Sequence, residues 1–296
     1  MKKFIVLILA LLPAILFAQL DIKVSESTQT FSKGAKPAYQ FEIPQAHLKQ
    51  TKKDWISYLK KGAKAKLIDA NGEVWMPGAV SDNVTSAPFN VYSTLLETTT
   101  GVRLTAWVSF NNDSIYISPG ISDRNLAVEK YLHDFALLEY KVAVNAQLQS
   151  ENVKLKKLQN QLEVLYKQQD KANKKSNEFK RDIERNEDKI RTNENDQQTK
   201  QSQIATQKQA VDDQRNNPGP ALDAARKTLK DYQSALNKLI NQKEKLHSQI
   251  DKWEANIRAQ DRNTAAALDN QKAKSAEIDQ QKTVVKVVGD KLDNIR

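Results

Sequence analysis

The sequence predicts an α+β N-terminal domain, a mostly antiparallel sheet with one or two helices, followed by a long antiparallel α-helical coiled-coil hairpin. Three observations predict it. Between Asp21 and Gly120 lie five of the eight prolines, six of the eight glycines and three of the four tryptophans, the punctuation of short strands and turns. Beyond Ile121 the chain turns to Lys, Gln, Asn, Glu, Leu and Ala, the composition of long helices. That helical region carries a sustained seven-residue apolar repeat, interrupted by "NNPGP" (Asn216 to Pro220). The expected organisation is a signal peptide over 1–18, an α+β domain over 19–122, a long helix over 123–215, a hairpin tip over 216–220 and a second arm over 221–296.

The first residues, "MKKFIVLILALLPAILFAQL", place two lysines before a 14-residue apolar run from Ile5 to Ala18. That is the layout of a secretory signal peptide cut after about Ala18, although Leu16 is larger than the residue favoured three places before such a cut. A membrane anchor is the competing reading, but a span needs roughly 20 apolar residues and this run contains Pro13. No stable span is expected once the signal is removed, so the mature chain is placed in the periplasm or secreted. With no cysteine, disulfides and an N-terminal lipid-modified Cys are excluded, and packing alone must hold the fold.

In the α+β domain, "LDIKV" (Leu20 to Val24) and "YQFEI" (Tyr39 to Ile43) alternate apolar and polar residues as half-buried strands do. "AHLKQTKKDWISYLKKG" sets Leu48, Trp55, Ile56 and Leu59 on one helical face and stops at Gly62, a natural C-terminal cap. "KLIDANGEVWM" puts Asn71-Gly72 between two alternating runs, a strong hairpin signal. Two further turns are expected near Thr100-Gly101 and over 111–113. In "VRLTAWVSF", Val102, Leu104, Ala106, Val108 and Phe110 share the face read as core, while Arg103, Thr105, Trp107 and Ser109 share the other. Ser122 or Asp123 can cap the next helix. Its early apolar positions, Leu126, Val128, Tyr131, Leu132, Phe135, Leu138 and Val142, are too many for a narrow stripe and suit packing on a sheet. This helix is therefore read as shared between the domain and the first arm.

The heptads run Leu148, Leu155, Leu162, Gln169, Ser176, Ile183, Ile190, Gln197, Ile204 and Val211, interleaved with Val144, Leu158, Leu165, Ala172, Phe179, Asn186 and Asn193. A second frame runs from Leu222 and Ala225 through Ile250, Trp253 and Ala267 to Leu292 and Ile295. A strict repeat of seven specifies a left-handed supercoil. In the tip, Pro218 and Pro220 lack N–H groups, Gly219 permits a positive φ, and Asn216 and Asn217 tolerate turn geometry. A fold-back there brings Leu292 and Ile295 near Val144 and Leu148. The alternative is a helix that dimerises in parallel, giving a homo-oligomer through the coiled coil. The polar seam residues Asn186, Asn193, Gln197 and Lys200 should face the region around Lys243, and Gln169 and Ser176 should face Thr264 and Gln271.

Motifs for chemistry are missing. His47, His133 and His247 lie in different elements with no metal-ligand spacing, and neither a nucleophile motif nor a glycine-rich phosphate loop occurs. The expectation is no enzyme, no catalytic residue, no metal and no cofactor. Residues 19–140 carry 13 basic and 13 acidic side chains; residues 141–296 carry 31 and 23, so the basic excess sits on the helices. Because these charges are interspersed and the chain is exported, nucleic acid is not the expected partner; proteins of the cell envelope are. Two interaction candidates stand out: a patch of Trp75, Trp107 and Tyr116 on the non-core sheet face, and the tip residues Asn216, Asn217, Pro218, Gly219 and Pro220. The same sheet face could instead be covered by the shared helix, making Trp107 core.

The combination of "DWISYLKKGAKAKL", "FNVYSTLLETTTGVRLTAWVSF", "EKYLHDFALLEYKVAV" and "IRTNENDQQTKQSQIATQKQAV" resembles a group of exported Gram-negative bacterial proteins of unknown function. The resemblance implies envelope residence and transfers no functional residues. The basic helical hairpin is also similar in outline to periplasmic holdase chaperones of the Skp type, whose strand body is much smaller than the domain expected here. The functional expectation is an envelope scaffold or spacer, with a holdase gripping clients between basic arms as the alternative.

Overall fold

A computed structural model describes residue 22 and residues 24–110, 112–118 and 122–295; the expected signal peptide and its cleavage after Ala18 lie outside the described residues. The chain forms two compact units, one of Met1–Leu155 with Gln280–Arg296 and one of Lys156–Asp279.

The first unit contains β1 (Ser25–Phe31), β2 (Gly34–Pro44), α1 (Leu48–Lys60), β3 (Ile68–Ala70), β4 (Glu73–Ser81), β5 (Thr85–Glu97), β6 (Gly101–Phe110) and β7 (Ile115–Ile117), then the first turns of α2 (Asp123–Asp213) and the last of α3 (Pro220–Asp293). Every strand pairing is antiparallel, in the order β1-β2-β6-β5-β4-β3, with β7 on the other end of β6. The β3–β4 turn uses Asn71 and Gly72, both at positive φ (54° and 78°), as the Asn-Gly signal requires. Gly62, at φ 77°, follows the end of α1 as expected. The first strand departs from the sequence reading. Ile22 and Val24 are not in a strand, and pairing starts instead with the polar "SESTQTF", an edge strand with one partner, β2, in which Ser27, Gln29 and Phe31 are half-buried while Thr28 and Thr30 are exposed.

On one sheet face, Phe41, Ile43, Val74, Met76, Val91, Leu104 and Val108 pack with Trp55 and Leu59 of α1 and Val128, Leu132 and Phe135 of α2. This is the alternate set read as core in "VRLTAWVSF". Trp55 is fully buried and its Nε1 donates to Ser93 Oγ at 2.7 Å, which in turn donates to the Val74 carbonyl at 3.1 Å. Gly101 is required where β6 starts, because a Cβ there would lie 2.0 Å from the Ile43 carbonyl oxygen. Asn125 N donates to Ser122 Oγ at 3.3 Å, so Ser122 caps α2.

Glu139 of α2 is an unusual member of this core. It is 1% exposed; Oε1 accepts from Thr51 Oγ1 at 3.0 Å, and Oε2 has no partner. Burial pushes its carboxyl above the ordinary range; the Thr51 bond pulls it back in part, and Asp54 pushes it further up.

The end of α3 completes the same core. Val288 and Ile295 are buried there beside Val144, with Leu148, Val284 and Leu292 against them. Lys291 Nζ donates to Gln45 Oε1 at 2.9 Å and sits 5.3 Å from the Tyr140 ring centroid. The expected return of Leu292 and Ile295 to Val144 and Leu148 is thus present, and it requires a fold-back.

The second unit is a helical hairpin. Ala172, Ser176, Asn186, Ile190, Asn193 and Ile204 of α2 are buried, as are Leu222, Ala225, Ala267, Gln271 and Ile278 of α3, all of them expected seam positions. Between the helices, Arg215 N and Asn217 N donate to the carbonyls of Asp212 and Gln214, while Leu222 N and Asp223 N donate to Gly219 O. Pro220 opens α3, where its missing N–H has no helical partner to lose. Gly219 does not use the positive φ open to it: it serves as the residue before the first turn of α3, which needs no left-handed backbone. No helix among the described residues is long and apolar enough to cross a membrane.

Candidate functional site

The second sheet face carries a separate aromatic cluster. Alternation along β6 turns Trp107 away from the core, and the register sets it opposite Tyr92 of β5, itself opposite Trp75 of β4. Tyr116 of β7 pairs with Ser109, on the same side as Trp107. Trp75 and Tyr92 stack at 5.3 Å with an interplanar angle of 5°. The three residues expected to form a patch therefore share a face, but Trp107 is 2% exposed.

Its cover comes from the β1–β2 hairpin. Phe31 stacks on Trp107 at 4.6 Å and 16°, and meets Tyr92 and Tyr116 edge-on at 5.1 and 5.9 Å. β2 pairs with β6 only from Tyr39 to Pro44, leaving its Gly34–Ala38 half to carry the tip across the face. Gly34, at φ 91°, closes that tip. Ser32 fastens it, donating N–H and Oγ to the two carboxylate oxygens of Glu73 at 3.1 and 2.6 Å. Trp107 Nε1 donates to the Gln29 carbonyl at 3.3 Å. Lys33 lies 6.0 Å from the Trp75 ring centroid and Lys36 5.3 Å from that of Tyr116, so cations flank the central phenyl ring.

Asp113 holds the far rim. Together with Asn112 it takes a positive φ (68° and 53°), a conformation that short polar side chains tolerate. Its carboxylate accepts from Ser109 Oγ at 2.5 Å, Asn90 Nδ2 at 3.0 Å and Tyr92 Oη at 2.8 Å. Burial pushes this carboxyl up, but the bonds from Ser109, Asn90 and Tyr92, with the nearby Lys33, outweigh it and hold Asp113 below the ordinary range. The Tyr92 and Tyr116 hydroxyls are pushed up, first by burial and then by Asp113. Two donors on the face, Trp75 Nε1 and Tyr116 Oη, are buried without a hydrogen-bond partner. Each such orphan costs about 1–3 kcal/mol.

Sequence reasoning missed Phe31, Tyr92, Lys33, Lys36 and Glu73. Tyr92 was legible in principle, being out of phase with Phe89 and Val91 in "FNVYSTLL"; no local signal sets Phe31 over Trp107, since that contact spans most of the domain. Elsewhere, the tip residues Asn216, Asn217, Pro218 and Pro220 are exposed and Gly219 half-exposed. A groove of about 560 Å³ lies between α2 and α3, lined by Asp188, Asn193, Leu239, Gln242, Lys245 and Gln249 among others. His47 stands at the start of α1, His133 in α2 and His247 in α3, in separate elements. The sequence matches no protein-family model, and no curated protein is significantly similar to it.

Proposed function

We propose that this is an exported structural or interaction protein whose antiparallel coiled-coil hairpin serves as a scaffold or spacer for protein partners in the periplasm or cell envelope. The reading rests chiefly on the polar seam of the hairpin. Asn186 Nδ2 donates to Gln249 Oε1 at 2.9 Å, Asn193 Nδ2 to the Leu239 carbonyl at 3.1 Å, Gln271 Nε2 to Gln169 Oε1 at 2.9 Å, and Thr264 Oγ1 to Asn173 Oδ1 at 3.2 Å. Lys243 and Glu194 form an ion pair across the helices at 2.6 Å. An apolar seam of the same length would be more stable; polar pairs give up stability and fix one register. A fixed register is what a scaffold needs, because it sets the order of side chains along both outer faces. On this reading the chain has no catalytic site and needs no cofactor.

The test replaces Pro218, Gly219 and Pro220 together with alanine and measures mass and hydrodynamic radius by light scattering. A shift to a dimer with a larger radius is expected, as the helices become continuous and each seam seeks a partner. Unchanged mass and radius would remove the support for a tip-dependent hairpin. Crosslinking in the native envelope then identifies what the scaffold holds.

A holdase is favoured by a different observation. Val164 and Tyr166 of α2 are 52% and 53% exposed among lysines, apolar groups that an unfolded client could cover. A trimer that suppresses aggregation of an unfolded porin would establish this second reading; a monomer without that effect would end it.

A further inference from the structure

We infer that the aromatic face of the sheet is a docking site for a protein segment that presents an aromatic ring flanked by lysines, and that the β1–β2 tip occupies it as a displaceable internal stand-in. The inference is independent of the scaffold reading, which concerns the other unit.

The tip itself defines the chemistry of the occupant. Phe31 fills the centre of the row formed by Trp75, Tyr92, Trp107 and Tyr116, while Lys33 and Lys36 lie over its two outer rings. The floor supplies the matching groups: π-faces that attract cations, and the carboxylates of Glu73 and Asp113 at its margins. An acidic aromatic floor of this kind selects a basic aromatic segment and disfavours an acidic one.

Two features separate this arrangement from an ordinary small core. The closed tip leaves Trp75 Nε1 and Tyr116 Oη buried without acceptors, so the internal segment satisfies the rings but not the polar groups between them. A partner strand brings main-chain carbonyls that can accept from both. The tip is also fastened largely from outside: the bonds between Ser32 and Glu73 are exposed, and β2 makes no pairing with β6 over Gly34–Ala38. Opening therefore breaks the contacts of Phe31 and of the buried Ala38 with the Tyr92–Trp107 cluster and the Trp107 bond to Gln29, while the Ser32–Glu73 bonds it releases are exposed.

A synthetic peptide of residues 28–37, "TQTFSKGAKP", titrated into the full chain by calorimetry is the direct test. Phe31→Ala in the protein empties the central position. Binding to this variant is expected to be at least about tenfold tighter than to the wild-type chain, whose own tip competes, a difference of roughly 1.4 kcal/mol. Peptides with the phenylalanine changed to alanine, or with both lysines changed to glutamate, are expected to lose about tenfold or more. A folded Phe31→Ala protein, checked by circular dichroism, that ignores the peptide at millimolar concentration would overturn the inference. Should that variant fail to fold, Ser32→Ala loosens the tip without touching the rings. Peptide binding to Ser32→Ala then supports the site, and its absence makes Phe31 a core residue only. Wild-type dimers that disappear on Phe31→Ala would identify the occupant as a second copy of this tip and overturn the assignment to a different partner.

Discussion

Trp55 in α1 and Ile190 in α2 are both withdrawn from solvent, but their surroundings differ. Trp55 is enclosed by sheet and helices, tilted against Phe135 at 4.7 Å and bonded to Ser93. Ile190 faces one neighbouring helix in a seam where Asn186 and Asn193 are also buried. The globular unit thus draws stability from a three-dimensional apolar core, while the hairpin unit repeats a thin, partly polar contact along two helices. Local opening should follow that difference, with the hairpin exchanging amide protons sooner.

The comparison breaks most sharply on large-to-small substitutions. Trp55→Ala is expected to cost about 4 kcal/mol, and Ile190→Ala about 2 kcal/mol because the half-wet seam can relax; urea unfolding followed by circular dichroism checks both. Equal costs would mean that the two units are packed alike. Gly101→Ala falls between the two, at about 3 kcal/mol, since the new methyl group meets the Ile43 carbonyl and the β2–β6 pairing must shift.

Glu139 tests the globular core by charge. Its folded carboxyl is raised, so the folded chain holds this proton more tightly than the unfolded chain. That contribution is fully present below the ordinary carboxylate range and is lost as pH rises through it toward the raised value. Glu139→Gln removes the loss and should be more stable at neutral pH by about 1–2 kcal/mol, with little gain in mild acid. Denaturant midpoints at the two pH values decide it.

In the hairpin the converse is expected. Asn186→Leu with Gln249→Leu replaces a polar pair by an apolar one and should raise hairpin stability by about 1 kcal/mol or less, at the expense of a single register. Disulfide trapping between cysteines placed at Asn173 and Thr264 reads that register; one dominant crosslink in the double variant would show that the polar pair is not what sets it. Smallest is Gly219→Ser, worth a few tenths of a kcal/mol. It is tolerated because Gly219 is not at positive φ and a Cβ there meets nothing within 4 Å. A large loss in thermal melting would contradict that geometry.

Periodic features were legible in the chain because they depend on neighbours a few residues apart. The seam from Ala172 to Ile204, the Asn71-Gly72 turn and the core side of β6 all follow from spacing alone. The first strand was not legible: β1 is polar and becomes a strand only because β2 pairs with it. The candidate face was read in outline, with Trp75, Trp107 and Tyr116 correctly set on one side, but its cover by Phe31 was not foreseen.

The heptads, the break at Pro218 to Pro220 and the alternation of the inner strands are written into short stretches of chain, since backbone period and turn chemistry are local properties. Tertiary structure alone decided that Glu139 is buried against Thr51, that Ile295 closes the core laid down by Val144, and that Phe31 lies on Trp107. Each of these contacts joins residues far apart in the chain, and their meeting depends on how the sheet curls and the helices return, which no short stretch of sequence encodes.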